Sequence, residues 1–484
     1  MPEAKTLVMK FGGTSVGTPD AFRQVASIVA DTNQEWPRTV IVTSAMAGVT
    51  NMLLEGASHA VTGNTESIHQ IAQRLRSAHG AVIEAHLLPD LARQAQVKQE
   101  INYLVGEFVN LCQAISVLGE ATPRAFDAVA GLGERMSVRL LAAILEIHGI
   151  PAQFVEATHL IITDRNYQSA HPDLELTRTA TKNVLEPILG QGKVPVVTGF
   201  IASTPEGVTT TLGRGGSDYT AAVLGAVLPA DDVWIWTDVD GVMSADPRVV
   251  PDARTIPLLT YREIAEMAYF GAKVVHPKTI RPVIDAQIGL RVCNTFNPSL
   301  PGTRVIADNR HDRAVNHVDK SSAIKAVTAI HHLGLITVEG RGMLGVPGVA
   351  ARTFGAVAAT GTSVPMITQA SSEQSICFAV PFEATSRVIS SLEAAFVTEL
   401  NRKDIDRIWA TDEVTIITVV GAGMRNTPGI AGQIFTVLGA QGVNVIAIAQ
   451  GSSEVAISLV VDAPDAEEGI CAVHDLIVDR LERP

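Results

Sequence analysis

The chain is poor in cysteine. It has four in 484 residues (Cys112, Cys293, Cys377 and Cys471), far apart and without the spacing of a metal or redox pair. Such usage excludes a disulfide scaffold and reads as free thiols in a reducing compartment, so a cytoplasmic location is expected. Positive charge is also short: 37 Lys and Arg stand against 50 Asp and Glu, a net charge of −13. That balance argues against a nucleic-acid or membrane-surface partner, since both reward positive charge. It leaves a phosphate site open, because a few local cations suffice there. No run reaches the roughly 18 consecutive apolar residues of a membrane span. The N-terminus MPEAKTLVMKFGG has no long apolar core or cleavage site, so no secretory leader is expected. What remains is 46% apolar and 18% charged residues, the balance of a globular protein with sizeable cores. The length suggests about three domains.

Residues 1 to about 300 alternate strand and helix. Thr6–Lys10 reads as a short apolar strand before a Gly-rich turn. Asp20 is expected to cap a helix in which Phe22, Val25, Ile28 and Val29 recur at helical spacing. Val40–Ser44 reads as a buried strand entering the loop Ala45–Thr50, and residues 66–119 as mainly helical. Val194–Gly199 and Val233–Thr237 read as further strands, each followed by a loop rich in Gly, Asp, Ser and Thr. The expectation is an α/β fold with a mostly parallel sheet covered by helices. Ligands of such sheets bind beyond the carboxyl ends of the strands.

Past residue 300 the chain repeats itself. Gly340-Arg341-Gly342-Met343 through Pro347-Gly348 returns as Gly421-Ala422-Gly423-Met424 through Pro428-Gly429, always 81 positions on. Phe354 returns as Phe435, and Ile367–Glu373 as Ile448–Glu454. Each copy reads strand, Gly/Pro turn, helix, strand, tight turn, strand, helix: an α+β unit of about 70–80 residues. Asn297–Arg313 is polar, carries Pro and Gly, and is expected to be a linker. Gly340, Gly342 and Gly345 fit a dinucleotide fingerprint. The second copy has Asn426 in place of the third glycine and no acidic residue ends a second strand, so a tight turn accounts for them.

A chain built for phosphoryl transfer from ATP would have to bring an anionic acceptor to an anionic donor, position both and neutralise charge. The chain has no G-x-x-x-x-G-K-[ST], no H-R-D and no D-F-G. It offers cations at Gly-rich strand ends instead. Lys10 ends the first strand before Gly12 and Gly13, where bare backbone lets N–H groups approach a phosphate. Gly213-Arg214-Gly215-Gly216-Ser217-Asp218 joins a cation able to grip a carboxylate to an acid near a helix start. Thr237-Asp238-Val239-Asp240-Gly241 through Asp246-Pro247-Arg248 is an acidic turn with a nearby cation, able to hold ribose, base or metal. Gly271-Ala272-Lys273 through His276-Pro277 places a lysine in an apolar run, and Glu134 starts a helix after Gly131-Leu132-Gly133. Each also has an ordinary reading as a capped helix, polar turn or surface lysine.

Taken together, KFGGTSVG, SAMAGVTN, GLGERMS, TLGRGGSDYTA, TDVDGVMSADPR and GAKVVHP, in this order, resemble the aspartate kinases of the amino-acid kinase family. The repeat resembles the tandem ACT regulatory domains that follow that catalytic domain. The resemblance implies an amino-acid kinase fold over 1–300, a linker over 301–325, and ferredoxin-like ACT domains over 326–405 and 406–484. It implies transfer of the γ-phosphoryl of ATP to the β-carboxylate of L-aspartate, a first step toward lysine, threonine and methionine. That acceptor is ionised at pH 7, so the absence of a Ser–His or Cys–His pair is in keeping.

By family position, Lys10 would stabilise the transferring phosphoryl group, Asp218 would orient the lysines and Lys273 would contact nucleotide phosphates. Arg214 would hold a substrate carboxylate, with Ser44, Thr50, Glu134 and Ser217 completing the aspartate pocket. Gly12, Gly13, Thr237, Asp238, Met243, Asp246 and Arg248 would line the ATP site. Many relatives carry Tyr at the position of Met243, so that hydroxyl contact is missing. Mg²⁺ would sit mainly on phosphate oxygens, with no protein metal cluster. Pro365 replaces an Asp of lysine-inhibited relatives, whereas Gln369 and Gln450 occupy equivalent places as in threonine-regulated ones. Threonine is therefore the expected effector, ahead of lysine. A homodimer or larger homo-oligomer is expected, and no dehydrogenase domain after the second repeat. Two other readings stay open: a kinase for a different amino acid, or a catalytically silent ACT sensor.

Overall fold

The computed structural model describes residues 5–272, 275, 277–307, 323–370, 374–424, 427–451 and 455–481. They form two compact units. The first takes 5–242, 255–261 and the described part of 274–307; the second takes 243–254, the described part of 262–273 and the residues from 323 onward.

The first unit is built on ten strands: β1 (Thr6–Phe11), β2 (Arg38–Thr43), β3 (Ala152–Val155), β4 (Val194–Thr198), β5 (Ile201–Ser203), β6 (Thr209–Thr211), β7 (Asp232–Thr237), β8 (Leu258–Thr260), β9 (Gly289–Asn294) and β10 (Thr303–Ile306). Eight of them make one sheet in the order β3-β4-β2-β1-β7-β9-β10-β8. Its pairings are parallel except β9 with β10. All six residues of β1 are buried, as continuous apolar runs are when helices cover both faces. β5 and β6 form a separate antiparallel ribbon. Its helices are α1 (Pro19–Glu35), α2 (Val49–Val61), α3 (Thr65–His86), α4 (Leu91–Leu118), α5 (Pro123–Ala130), α6 (Leu132–Ile147), α7 (Leu174–Gly190) and α8 (Gly216–Val227); of the next two, α9 (Tyr261–Tyr269) belongs from Arg262 on to the second unit and α10 (Pro277–Asp285) to the first.

The expected α/β architecture is thus present, with two local corrections. Thr18, not Asp20, caps α1: its Oγ1 accepts the N–H of Ala21 at 3.2 Å. Pro19 has no N–H to lose and a φ already suited to the first turn, so the helix starts before Asp20. Part of the expected linker is strand: β10 lies within Asn297–Arg313 and pairs with both β9 and β8. The remainder of that segment from 308 lies outside the described residues.

α4 is the one described helix long and apolar enough to cross a membrane by length and composition. In the structure Val97, Ile101, Leu104, Val105, Phe108 and Cys112 are buried with α2, α3 and α6 in the core of the first unit.

In the second unit β11 (Ala326–Glu339), β12 (Met366–Gln369), β13 (Ser375–Pro381), β14 (Arg407–Val420), β15 (Ala447–Gln450) and β16 (Ala456–Asp462) form one antiparallel sheet in the order β12-β13-β11-β14-β16-β15. It carries α11 (Val349–Ala359), α12 (Thr385–Ala395), α13 (Val397–Arg402), α14 (Ile430–Ala440) and α15 (Ala466–Leu481). The repeat is visible as two matching halves, but packing does not divide at residue 405. Ile324 and Val327, at the start of β11, are buried with Ile417, Leu438 and Ile457 of the second copy. Ile408 and Ala410, early in β14, pack on the first copy's Ile336, Phe378 and Leu392.

Segments from before residue 300 join this unit. Ala245 and Val250 are buried in the second copy's core. Ser244 Oγ lies 2.8 Å from Nε2 of buried His474, and the Ser244 carbonyl accepts the N–H of Val327 at 2.8 Å. Glu263 is fully buried; it meets Lys325 Nζ at 3.0 Å and accepts the N–H of Ala422 at 2.7 Å. Removing one partner of such a pair strands a charge. Glu263→Ala is therefore expected to destabilise the second unit by about 2–4 kcal/mol, below the fully buried range because Lys325 reaches solvent. Glu263→Gln, which can still accept from Ala422, should lose less. Urea unfolding followed by circular dichroism reads both; equal, small losses would refute the assignment.

Candidate active site

The carboxyl ends of β1, β2 and β4 and the first turns of α2, α6 and α8 surround a cavity of about 390 Å³ in the first unit. Three helix N-termini pointing at one space give it a positive bias suited to anions. Lys10, Gly13, Ser44, Thr50, Glu134, Arg214, Ser217 and Asp218 all line it, so eight residues named from separate motifs meet in one place.

Lys10 and Asp218 form an ion pair at 2.5 Å, with side chains 10% and 15% exposed. Lys10 is carried by the central strand, between Val42 of β2 and Ile235 of β7. Asp218 lies in the first turn of α8, which Gly215 starts from the left-handed region at φ 71°; side chains other than glycine rarely adopt that backbone. Ser217 is brought close to β4 by Gly199, where a Cβ would stand 2.5 Å from Ser217 Oγ. Arg214 is exposed, lines the cavity and has no ion-pair partner among the described residues.

Glu134 is 3% exposed. One carboxyl oxygen accepts the N–H of Ala45 at 3.3 Å; the other is buried with no hydrogen-bond partner among the described residues. Burial pushes its pKa up to about 8, against weaker pulls from backbone N–H groups. A lone carboxylate so placed awaits a cation.

The Gly-rich loop behaves differently from the sequence expectation at one atom. The Gly12 N–H is already donated to Trp236 O at 3.1 Å, while a Cβ on Gly12 would stand 3.4 Å from Lys10 Nζ. Gly12 thus makes room for the lysine, and its N–H is spent on β7. Thr237 ends β7 and donates to Asp238 at 3.2 Å. Met243, Asp246 and Arg248 lie in the second unit, where Arg248 Nε and Nη2 bond the Asp246 carboxylate at 3.0 and 2.5 Å. Lys273 lies outside the described residues. Gln369 and Gln450 end β12 and β15, both exposed and in matching register with Ile376 and Ile457.

Sequence reasoning passed over three contributors. Phe200 lines the cavity from the left-handed region at φ 64°, held by Thr220 Oγ1 at 3.1 Å; nothing in its sequence marks a strained residue. Asn51, in the first turn of α2 next to the loop Ala45–Thr50, also lines the cavity. Asp127, 1% exposed, accepts from the N–H and Oγ1 of Thr211 at 3.0 and 2.8 Å and from the N–H of Gln168 at 3.0 Å. It ties β6 and the neighbouring loop down just before Gly213. An acid amid the apolar residues of α5 was its only signal.

Known proteins resemble this chain over nearly its whole length. The amino acid kinase family matches residues 5–294, and the ACT domain matches 336–396 and 417–476. A chloroplastic bifunctional aspartokinase/homoserine dehydrogenase of Daucus carota is 38% identical over 474 residues, 96% of this chain and 50% of its own length. The chain thus spans about half the length of that relative. An aspartokinase of Schizosaccharomyces pombe is 32% identical, with 99% of this chain and 94% of the relative covered. The crystal structure of E. coli aspartokinase III with aspartate and ADP superposes with a TM-score of 0.80 at 29% identity, covering 98% of this chain and 100% of that one. With catalytic and regulatory portions both matched in order, the chain belongs to the amino acid kinase family, among its aspartokinases with paired ACT domains.

Proposed function

We propose that the protein transfers the γ-phosphoryl group of ATP to the β-carboxylate of L-aspartate, giving 4-phospho-L-aspartate and ADP. The observation that carries this reading is the meeting, in one cavity, of Glu134, one of whose carboxyl oxygens is buried without a partner among the described residues, with Arg214, likewise unpaired among them, and the Lys10–Asp218 pair. Glu134 suits the substrate's ammonium, and Arg214 a carboxylate, held bidentately. Ser44, Thr50 and Ser217 offer hydroxyls to the remaining polar atoms. Lys10, oriented by Asp218, stands where charge develops on the transferring phosphoryl group. The β-carboxylate oxygen attacks phosphorus as the bond to the ADP oxygen breaks; no proton needs to leave the nucleophile. Thr237, Asp238, Met243, Asp246, Arg248 and Lys273 are assigned to the nucleotide. No group of three or more His, Cys, Asp or Glu stands ready for a metal among the described residues. Mg²⁺ would be carried mainly on the nucleotide's phosphate oxygens, where it would neutralise charge.

An aspartate- and ATP-dependent hydroxamate assay tests the reading. Aspartyl hydroxamate is the expected product. Product from glutamate but not aspartate would point to a different amino-acid kinase, and none above a no-enzyme blank to an ACT sensor.

Control by threonine is part of the same proposal. Gln369 borders a cavity of about 360 Å³ in the second unit with Met343, Pro347, Gly348 and Ile376. Gly348 starts α11 there, so a helix N-terminus faces an effector's carboxylate, and the amide can both donate to and accept from a hydroxyl. Gln369→Ala should raise the threonine concentration for half-inhibition about tenfold, the worth of one hydrogen bond. If saturating threonine moves neither activity nor melting temperature while lysine moves both, the effector is lysine. β12 and β15 are outer strands of their sheet, with Ile367 49% and Ile448 45% exposed, which suits assembly into a homo-oligomer.

A further inference from the structure

Three of the chain's four tryptophans gather in the first unit. Trp234 lies edge-on to Trp36 and to Trp236, with ring centres 6.0 and 6.3 Å apart. Beside them is a second cavity, of about 230 Å³, walled by Trp234, Trp236, Cys293 and Leu300 and bordered by Asp31 and Arg291. It shares no lining residue with the cavity around Lys10. Asp31 is near the end of α1, whose start follows the Gly-rich loop, so roughly 18 Å of helix axis separates the two regions.

The cavity's chemistry is amphipathic. Trp236 is 5% exposed, and its indole N–H is buried with no acceptor among the described residues. Burial pushes the Cys293 thiol up to about 12, so it stays protonated and serves as apolar wall. Arg291 lies across Trp234, guanidinium carbon 5.1 Å from the ring centre. Its Nε donates to Pro301 O at 2.7 Å, which helps hold the guanidinium in place. Neither Arg291 nor Asp31 has an ion-pair partner among the described residues, and they do not pair with each other. Opposite charges kept apart at the rim of an aromatic cavity match the two head groups of a zwitterion.

We propose that this cavity binds a free α-amino acid with an apolar side chain, its carboxylate on Arg291, its ammonium on Asp31 and its side chain against Trp234 and Trp236. The volume of about 230 Å³ equals the liquid share of about eight waters, the scale of one apolar amino-acid side chain with its head groups at the rim. The site is distinct from both the catalytic cavity and the regulatory repeat.

Tryptophan emission tests it without any turnover. In a Trp409→Phe protein all such emission comes from this cluster. Titration with L-leucine and L-phenylalanine should give a saturable change for at least one. Arg291→Gln and Asp31→Asn should each weaken it tenfold or more. 3-Phenylpropionate and phenethylamine, each lacking one head group, should bind tenfold or more weaker than L-phenylalanine if that is the ligand. Asp31 is exposed on a helix, so Asp31→Asn remains decisive if Arg291→Gln fails to fold. No saturable change with either amino acid, or affinity unaltered in Asp31→Asn, overturns the proposal.

Discussion

Lys10→Ala is expected to lower kcat about 10²–10³-fold, the usual cost of removing one group that stabilises transition-state charge. The KM for aspartate should change little, because the aspartate contacts assigned to Glu134 and Arg214 are untouched. The variant should still fold. Lys10 sits on a strand whose neighbours on both sides are apolar and buried, and Asp218 keeps some contact with solvent. The stability loss should therefore fall below the roughly 3–5 kcal/mol seen when a fully buried pair is broken. Lys10→Arg keeps the charge, but the space beside Gly12 is cut to the ammonium, so no more than partial rescue is expected. Steady-state kinetics with circular dichroism decides. Wild-type kcat in a folded Lys10→Ala protein would remove this lysine from the mechanism.

The sequence made the cavity around Lys10 legible because its parts are glycine-rich strand ends, where composition and chemistry coincide. Lys10 and Asp218 lie 208 positions apart; each stood near glycines that an ordinary turn could also explain, and it was their company with the other motifs that marked them. The apolar runs of β1, β2, β4 and β7 disclosed a parallel sheet for the same reason: strands buried on both faces leave little room for polar residues. Three things were not legible. The first was which strand halves pack together in the regulatory unit. β11 and β14 have apolar residues throughout, and nothing in their composition says that each begins in the other copy's core. The second was the fate of Ser244 and Ala245, read as part of an acidic turn, and of Val250 just beyond it, all of which are buried. Burial of a short loop depends on distant partners such as His474, and local pattern carries no trace of them. The third was the tryptophan cluster, assembled from α1 and β7 by tertiary packing alone.

Aspartate binding should release close to one proton at pH 7 and almost none at pH 9. Without substrate, burial holds the Glu134 pKa near 8 rather than the ordinary 4.5, so below pH 8 the side chain is mostly neutral. An ammonium group against its unpartnered oxygen favours the ionised form, and the proton must leave. Isothermal titration in two buffers of different ionisation enthalpy should give different apparent enthalpies at pH 7 and the same at pH 9. The affinity for aspartate should rise about fivefold from pH 7 to pH 8 as ionised Glu134 becomes available, then about twofold more before it levels off.

Stability carries the same signature with opposite sense. Between pH 4.5 and 8 the folded state holds a proton that the unfolded chain has given up, so this residue's contribution falls by about 1.4 kcal/mol per pH unit as pH rises. Glu134→Gln removes the titration. Its stability should gain on the wild type across that window, while its aspartate affinity drops about 10–100-fold through loss of one charge-assisted bond. Its binding should show no buffer dependence. Equal apparent enthalpies for the wild type in both buffers at pH 7 would mean that Glu134 does not receive the ammonium, and the orientation of aspartate in the cavity would have to be reversed.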